Sequence, residues 1–276
     1  MTRDYAFAGS FYPKAPNEIS GLVNAYIEKA RITNAATAEF ISCVAPHAGY
    51  VYSGSVAGYT YRALSLNKKL GAADTVVLVG PNHTGYGTPV SVSMEDWKTP
   101  LGVVRNDLDF SRAMVDSSDM LSEDEAAHAY EHSIEVQLPF LQTVASGKRF
   151  AFVCMGDQSP DYSAALTEAI TNAEKALRRH VIVIASSDFD HYEPADVARG
   201  KDMKLIEALK VMDHAMFNRL VEELDDSACG FGPITVALLY AKAHGGKRGD
   251  LLRYSNSGEA TGDSSSVVAY ASMTFV

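Results

Sequence analysis

The chain has 276 residues, 47% of them apolar, with 24 basic against 34 acidic side chains and a formal net charge of −10. A chain of this make-up has enough apolar residues for a large core, which sets aside wholesale disorder. Its acidic balance argues against nucleic acid and anionic membrane as partners, since both call for a basic footprint.

Ala6 to Pro13 reads as irregular, and Pro16 to Ile32 as a helix in which Ile19, Leu22, Val23, Tyr26 and Ile27 recur at three- and four-residue spacing. Phe40 to Ala45 is a first strand, closed by Pro46 and His47. Small residues then lead into a helix over Ser53 to Leu66, with Ser53 as its N-cap. A second strand, Asp74 to Gly80, contains Val76-Val77-Leu78-Val79, a continuous apolar run of the kind buried on both faces. It ends in Gly80-Pro81-Asn82-His83.

Val90 to Met94 and Leu101 to Arg105 are shorter strands around a turn holding Trp97 and Pro100. Leu108 to Val115 is a modest helix, and Ser122 to Glu131 an acidic surface segment. His132 to Val144 is amphipathic, with Ile134, Leu138 and Leu141 on one stripe and Pro139 forcing a kink or a late start. Phe150 to Met155 is a strand, and Ser159-Pro160 opens a long helix in the cap-then-proline manner. Val181 to Ala185, the strongest buried strand, runs into Ser186-Ser187-Asp188-Phe189-Asp190-His191. Helices over Ala195 to Met212 and His214 to Leu224 follow. Cys229-Gly230-Phe231-Gly232-Pro233 then leads into a helix from Ile234 to His244, stopped by Gly245-Gly246. A strand at Leu251 to Tyr254, a Ser/Gly-rich loop and a last strand at Val267 to Phe275 complete the chain.

Strands alternate with helices and no linker, repeat or low-complexity segment intervenes. The expected fold class is therefore α/β, a single domain over 1–276 with a central, largely parallel or mixed β-sheet flanked by helices. Cys43, Cys154 and Cys229 give no paired disulfide framework and no CxxC spacing. The residues after Met1 lack a signal-peptide pattern, and no apolar run approaches the roughly 18–20 residues needed to span a bilayer. A cytoplasmic, reducing compartment is expected.

Three apolar strands end in a histidine, His47, His83 and His191, where open α/β sheets place their ligands. Cys229 lies in a glycine-rich loop just ahead of a helix N-terminus, a position that favours the thiolate. Two imidazoles and an anionic donor make a metal set for Fe(II), Zn or Cu, and the thiolate tilts the choice away from Mg and Ca. His191 is then placed to act as acid or base. Each group also has a structural use: a strand-end histidine as a hydrogen-bonded support, Asp188 as a cap of the turn after its strand. Cys43 and Cys154, inside apolar strands, read as inert core residues. Glu131, His132 and Glu135 fit either as supports of the metal ligands or as a solvated helix face. His128, His180, His214 and His244 read as surface residues, and Tyr50 and Tyr52 as core packing or pocket lining.

Seven segments stand in this order: Ala8-Gly9-Ser10-Phe11-Tyr12-Pro13, Pro46-His47-Ala48-Gly49-Tyr50, Gly80-Pro81-Asn82-His83, Trp97-Lys98-Thr99-Pro100-Leu101-Gly102, Glu131-His132-Ser133-Ile134-Glu135, Ser186-Ser187-Asp188-Phe189 and Cys229-Gly230. Together they resemble the Memo family, whose prokaryotic members are also called AmmeMemoRadiSam system protein B, over almost the whole chain. The resemblance implies a fold similar to the class III extradiol dioxygenases, non-haem Fe(II) enzymes in which two histidines and a glutamate hold the iron. It implies that His47 and His83 match the histidine ligands, that Cys229 takes the carboxylate's place, and that His191 matches the acid/base with Asp188 beside it. It also implies iron or copper binding and, for eukaryotic members, roles in cell motility and redox signalling.

The expectation is thus a metal-dependent, dioxygenase-like oxidoreductase with Fe(II), or else Cu or Zn, on His47, His83 and Cys229, acting on an unknown small molecule. A thiolate in place of a carboxylate changes both metal preference and oxygen chemistry. The alternative is a peptide- or protein-binding module using the same cleft without turnover. A metal-free cysteine nucleophile, Cys229 with His191 as base, is a third reading that leaves His47 and His83 without a role.

Overall fold

Along Thr75–Pro81, Val77 and Val79 enter one apolar core while Val76 and Leu78 enter another. A strand's two-residue period sends alternate side chains to opposite faces. Both faces are covered, and for that reason the strand reads as an unbroken apolar run.

The computed structural model describes residues 1–32 and 39–276. Its elements begin with β1 (Thr2–Arg3), α1 (Pro16–Lys29), β2 (Ser42–Ala45), α2 (Tyr50–Leu66), α3 (Lys68–Ala72) and β3 (Thr75–Pro81). The chain continues through β4 (Val90–Ser93), β5 (Asp96–Thr99), β6 (Gly102–Val104), α4 (Leu108–Asp116), β7 (Ser122–Glu123), α5 (Leu138–Val144) and β8 (Arg149–Met155). Then come α6 (Pro160–Leu177), β9 (Val181–Ser186), β10 (His191–Glu193), α7 (Ala195–Lys210) and α8 (His214–Glu223). It closes with α9 (Phe231–Ala243), β11 (Gly249–Asn256), α10 (Gly258–Thr261) and β12 (Val267–Phe275).

The sheet is mixed, as expected. Its centre is a parallel quartet in the order β2-β9-β3-β8, with Ser42 opposite Val183, Val76 opposite Ile182 and Val79 opposite Val153. β12 joins β2 and β4 joins β8, both antiparallel. A separate small sheet unites β1, β5 and β6. Leu166 of α6, Leu205 of α7, Phe217 of α8 and Ile234 of α9 pack on one face, and Ile19 of α1, Tyr61 of α2 and Phe140 of α5 on the other. Because the four central strands run in one direction, the turns after β2, β3 and β9 emerge at one rim. No helix among the described residues is long and apolar enough to cross a membrane.

Three local expectations are corrected. The helix expected from Ser53 begins at Tyr50 with Gly49 as N-cap; Ser53 sits inside its first turn and donates Oγ–H to the Ala48 carbonyl at 2.8 Å. Trp97 lies within β5 rather than in a turn, with the Arg3 guanidinium 4.1 Å over its ring. Part of the segment expected at the surface is buried: His128 and Glu131 are 0% exposed. Arg3 draws it in, donating Nε–H to the His128 carbonyl at 2.7 Å and Nη2–H to the Glu131 carbonyl at 3.1 Å. The late start expected from Pro139 is met: the stretch from His132 forms a single 3-10 turn at Glu135–Gln137 before α5, which carries Pro139 in its first turn. There the missing N–H has no partner to lose.

Candidate metal centre

The turn after β2 is fastened from β9. Asp188 Oδ1 accepts the backbone N–H of His47 at 2.7 Å, and the N–H of Ala48 bonds to the same carboxylate. After β3, Glu131 accepts the backbone N–H of His83 at 2.6 Å, its ring Nδ1–H at 2.9 Å and the N–H of Ser133 at 2.8 Å. That loop reaches β3 only because position 80 is glycine, where a Cβ would meet Ser133 Oγ at 2.5 Å. Cys229 is carried by the loop before α9. The neighbouring Gly230 presses on the end of β9, where a Cβ would meet the Ser186 carbonyl oxygen at 2.5 Å.

These turns bring donor atoms of His47, His83 and Cys229 within 4.8 Å of one another. The tautomer of His47 follows from its neighbours. Ser186 donates its only proton to the Ser133 carbonyl at 2.6 Å, so it accepts from Gln137 Nε2 at 2.8 Å and from His47 Nδ1 at 2.9 Å. The unprotonated Nε2 of His47 therefore faces Cys229 Sγ, 3.1 Å away. Glu131 does the same for His83, occupying Nδ1 and leaving the Nε2 lone pair for a ligand bond. Burial, reinforced by the surrounding imidazoles, holds His47 well below its ordinary range, in the neutral form that binds metal.

Cys229 departs from expectation. Burial pushes its thiol well up, and the Asp188 carboxylate adds to the effect, outweighing the hydrogen bonds from the Asp188 backbone and the Ser187 side chain. The thiolate thus depends on a positive charge among the three donors. Burial also raises Asp188, to about 7. Its hydrogen bonds go to the His47 turn and not to the His191 ring. His191 opens β10, its backbone N–H bonded to Ser227 Oγ at 2.7 Å and Asp190 Oδ1 at 3.1 Å. Its Nδ1 is buried without a hydrogen-bond partner among the described residues, and burial lowers its pKa. The next residue, Tyr192, is 80% exposed and takes a left-handed φ of 65° at a bulge in the pairing with β12.

Beneath this rim, Asp190, Asp202 and Asp226 form a buried acidic group. Lys201 Nζ lies 3.4 Å from Asp190 Oδ2, the Tyr254 hydroxyl donates to Asp202 at 2.6 Å, and Asp226 accepts the Ala228 N–H at 3.0 Å. Ser227 donates both N–H and Oγ–H to Asp190. The group thereby ties the loop of His191 to the loop of Cys229.

Three residues are more deeply involved than the sequence indicates. The His132 ring packs on His83 at 4.5 Å between centroids and 28° between planes, with His47 at 5.3 Å and Phe11 at 4.6 Å. Burial brings its pKa down to about 4, so it is neutral. Glu131 and Glu135 are wholly buried. Glu135 anchors the N-terminal arm, accepting from Arg3 Nη1 at 2.7 Å, the N–H of Ala6 at 2.9 Å and of Phe7 at 2.8 Å, and the Tyr12 hydroxyl at 2.7 Å. Cys43 and Cys154 are buried in their strands and their thiols are pushed up, as core residues should be. Tyr50 packs in the core and donates to the Val136 carbonyl at 2.6 Å, while Tyr52 is 43% exposed.

A family model described as Memo-like protein matches residues 3–274. A MEMO1 family protein of Methanopyrus kandleri is 42% identical over 284 residues, covering 100% of this chain and 99% of the relative. MEMO1 family proteins of Methanosarcina barkeri and Archaeoglobus fulgidus are each 42% identical, over 273 and 268 residues, covering 98% and 97% of both chains respectively.

Proposed function

The chain belongs to the Memo family, and we propose that it is a metal-binding redox protein whose His47, His83 and Cys229 hold iron, with copper or zinc as competing occupants, and which acts on a small molecule. The observation that carries this reading is the convergence of two imidazoles and one sulfur, from three separate turns, within 4.8 Å. The donor chemistry fits such an ion. Both imidazoles are turned to present Nε2, and the sulfur favours borderline or soft metals over Mg and Ca. Iron or copper in this set would supply electron-transfer chemistry and open positions for dioxygen or substrate.

The chain's own residues have separable tasks around it. Asp188 holds the His47 turn, and His191, kept neutral by burial, is free to take a proton from a substrate hydroxyl. Phe7, Phe11 and His132 wall one side. A thiol stands where extradiol dioxygenases carry a carboxylate, so ring cleavage is not part of the proposal. Three unpaired cysteines accord with a reducing cytoplasm. The exposed rings of Tyr52 and Tyr192 favour, as a second reading, a peptide-binding cleft.

Metal analysis of anaerobically purified protein tests the proposal. Wild type should carry stoichiometric iron or copper, and a Cys229→Ser, His47→Ala double variant should lose it; equal trace metal in both overturns the site. Oxygen uptake by iron-loaded protein with catechols and other small aromatics then separates the two readings. Inertness toward all of them favours the binding cleft.

A further inference from the structure

His83 belongs to two donor groups. Beside the set it shares with His47 and Cys229, donor atoms of His83, Glu131 and His132 also lie within 4.8 Å of one another. Glu131 Oε1 is 2.9 Å from His83 Nδ1 and 3.3 Å from His132 Nδ1. We propose that this rim holds two neighbouring divalent cations, one on each set with the His83 ring between them, and that the His83/Glu131/His132 position takes a zinc-class ion. The inference rests on the metal reading of the first set.

The spacing suits an ion. Ligand bonds of about 2.0–2.2 Å put two donors on one metal roughly 3.0–3.5 Å apart. Two imidazoles and a carboxylate are also the make-up of open three-ligand zinc sites. That set is harder than one with a thiolate, so the two positions select different ions. Glu131 is buried, but the His83 and His132 side chains are 34% and 18% exposed, leaving a side from which an ion and its water can enter.

A carboxylate that merely orients His83 accounts for the bonds of Glu131 to that residue. It does not account for a second imidazole held against His83 by Phe7 and Phe11, with its Nδ1 turned toward the same oxygen. The His132 ring makes no hydrogen bond among the described residues. Nor is His132 a fourth donor to the first ion, because its nitrogens do not group with those of His47 and Cys229. On binding, the cation takes the place of the His83 Nδ1 proton, which leaves to solvent. Glu131 stays anchored through Oε2, which keeps the backbone N–H of His83.

Anaerobic titration of the metal-free full chain with Co²⁺, read by visible absorption and by cobalt content after gel filtration, tests the inference. Two cobalt ions per chain are expected, one with thiolate-to-cobalt charge-transfer absorption and one without. His132→Ala and His132→Phe, the latter preserving the aromatic packing, should each fall from two ions to one and keep the charge-transfer band. Saturation of wild type at one ion with that band, or two ions retained in both variants, overturns the second position and leaves the first standing. Absence of the charge-transfer band at every cobalt level overturns both.

Discussion

Glu131 holds His83 twice, by the backbone N–H at 2.6 Å and by the ring Nδ1 at 2.9 Å. An imidazole that gives its second N–H to a carboxylate is better aimed and more basic toward a metal, and losing that partner costs about 10–100-fold in affinity. Glu131→Gln is therefore expected to weaken metal binding at His47, His83 and Cys229 by about that factor, measured by competition with a chelator. Unchanged affinity would remove Glu131 from the metal centre.

Arg3 and Glu135 form a buried ion pair at 2.7 Å. Removing one partner strands the other charge away from water, which typically costs about 3–5 kcal/mol. Arg3→Ala should lower stability by about that amount, seen as a lower urea midpoint at constant slope. A midpoint equal to wild type would mean that the arm is not a structural tie.

Burial and the facing Asp226 carboxylate push Asp202 up to about 8. The folded chain then keeps a proton that the unfolded chain releases near pH 4. Stability contributed by that proton is complete below about pH 4 and is lost as pH rises toward 8. Asp202→Asn should accordingly stabilise the protein more at pH 8 than at pH 5, by chemical denaturation at the two values. An effect independent of pH would mean that folding does not raise the pKa of Asp202.

Gly230→Ala must push against the Ser186 carbonyl. Overpacking of this kind costs about 1–3 kcal/mol, and it displaces the adjoining Cys229, so the thiolate-to-cobalt absorption should weaken along with stability. Gly200→Ala, in α7 with nothing within 4 Å of its Cβ, provides the contrast. It should raise stability by up to about 1 kcal/mol.

His47 and His83 can be recognised in the sequence because each follows a short apolar run closed by a proline, and strand ends are where parallel sheets gather ligands. Cys229 stands out for the opposite reason, as a thiol outside any apolar run. Glu131, His132 and Glu135 are not legible in this way. Their burial comes from Arg3, some 130 positions away, and from the close packing of their loop over Gly80. Local pattern sees only alternating polar and apolar residues there, which a solvated helix would also show. His128 is misread for the same reason: acidic and small neighbours suggest solvent, while Arg3 and Trp97 enclose it. Ser53 has the chemistry of an N-cap, yet the preceding glycine turn lets the helix start three residues sooner.

The arm anchored by Glu135 changes how the protein is best handled. Its residues resemble a dispensable leader, the place where purification tags are fused and where stray proteases cut first. Yet Phe7 and Phe11 are the panels that cover His132. Trimming before Tyr12 would open the cleft from the side, so a preparation's metal content and its N-terminal integrity belong in the same assay.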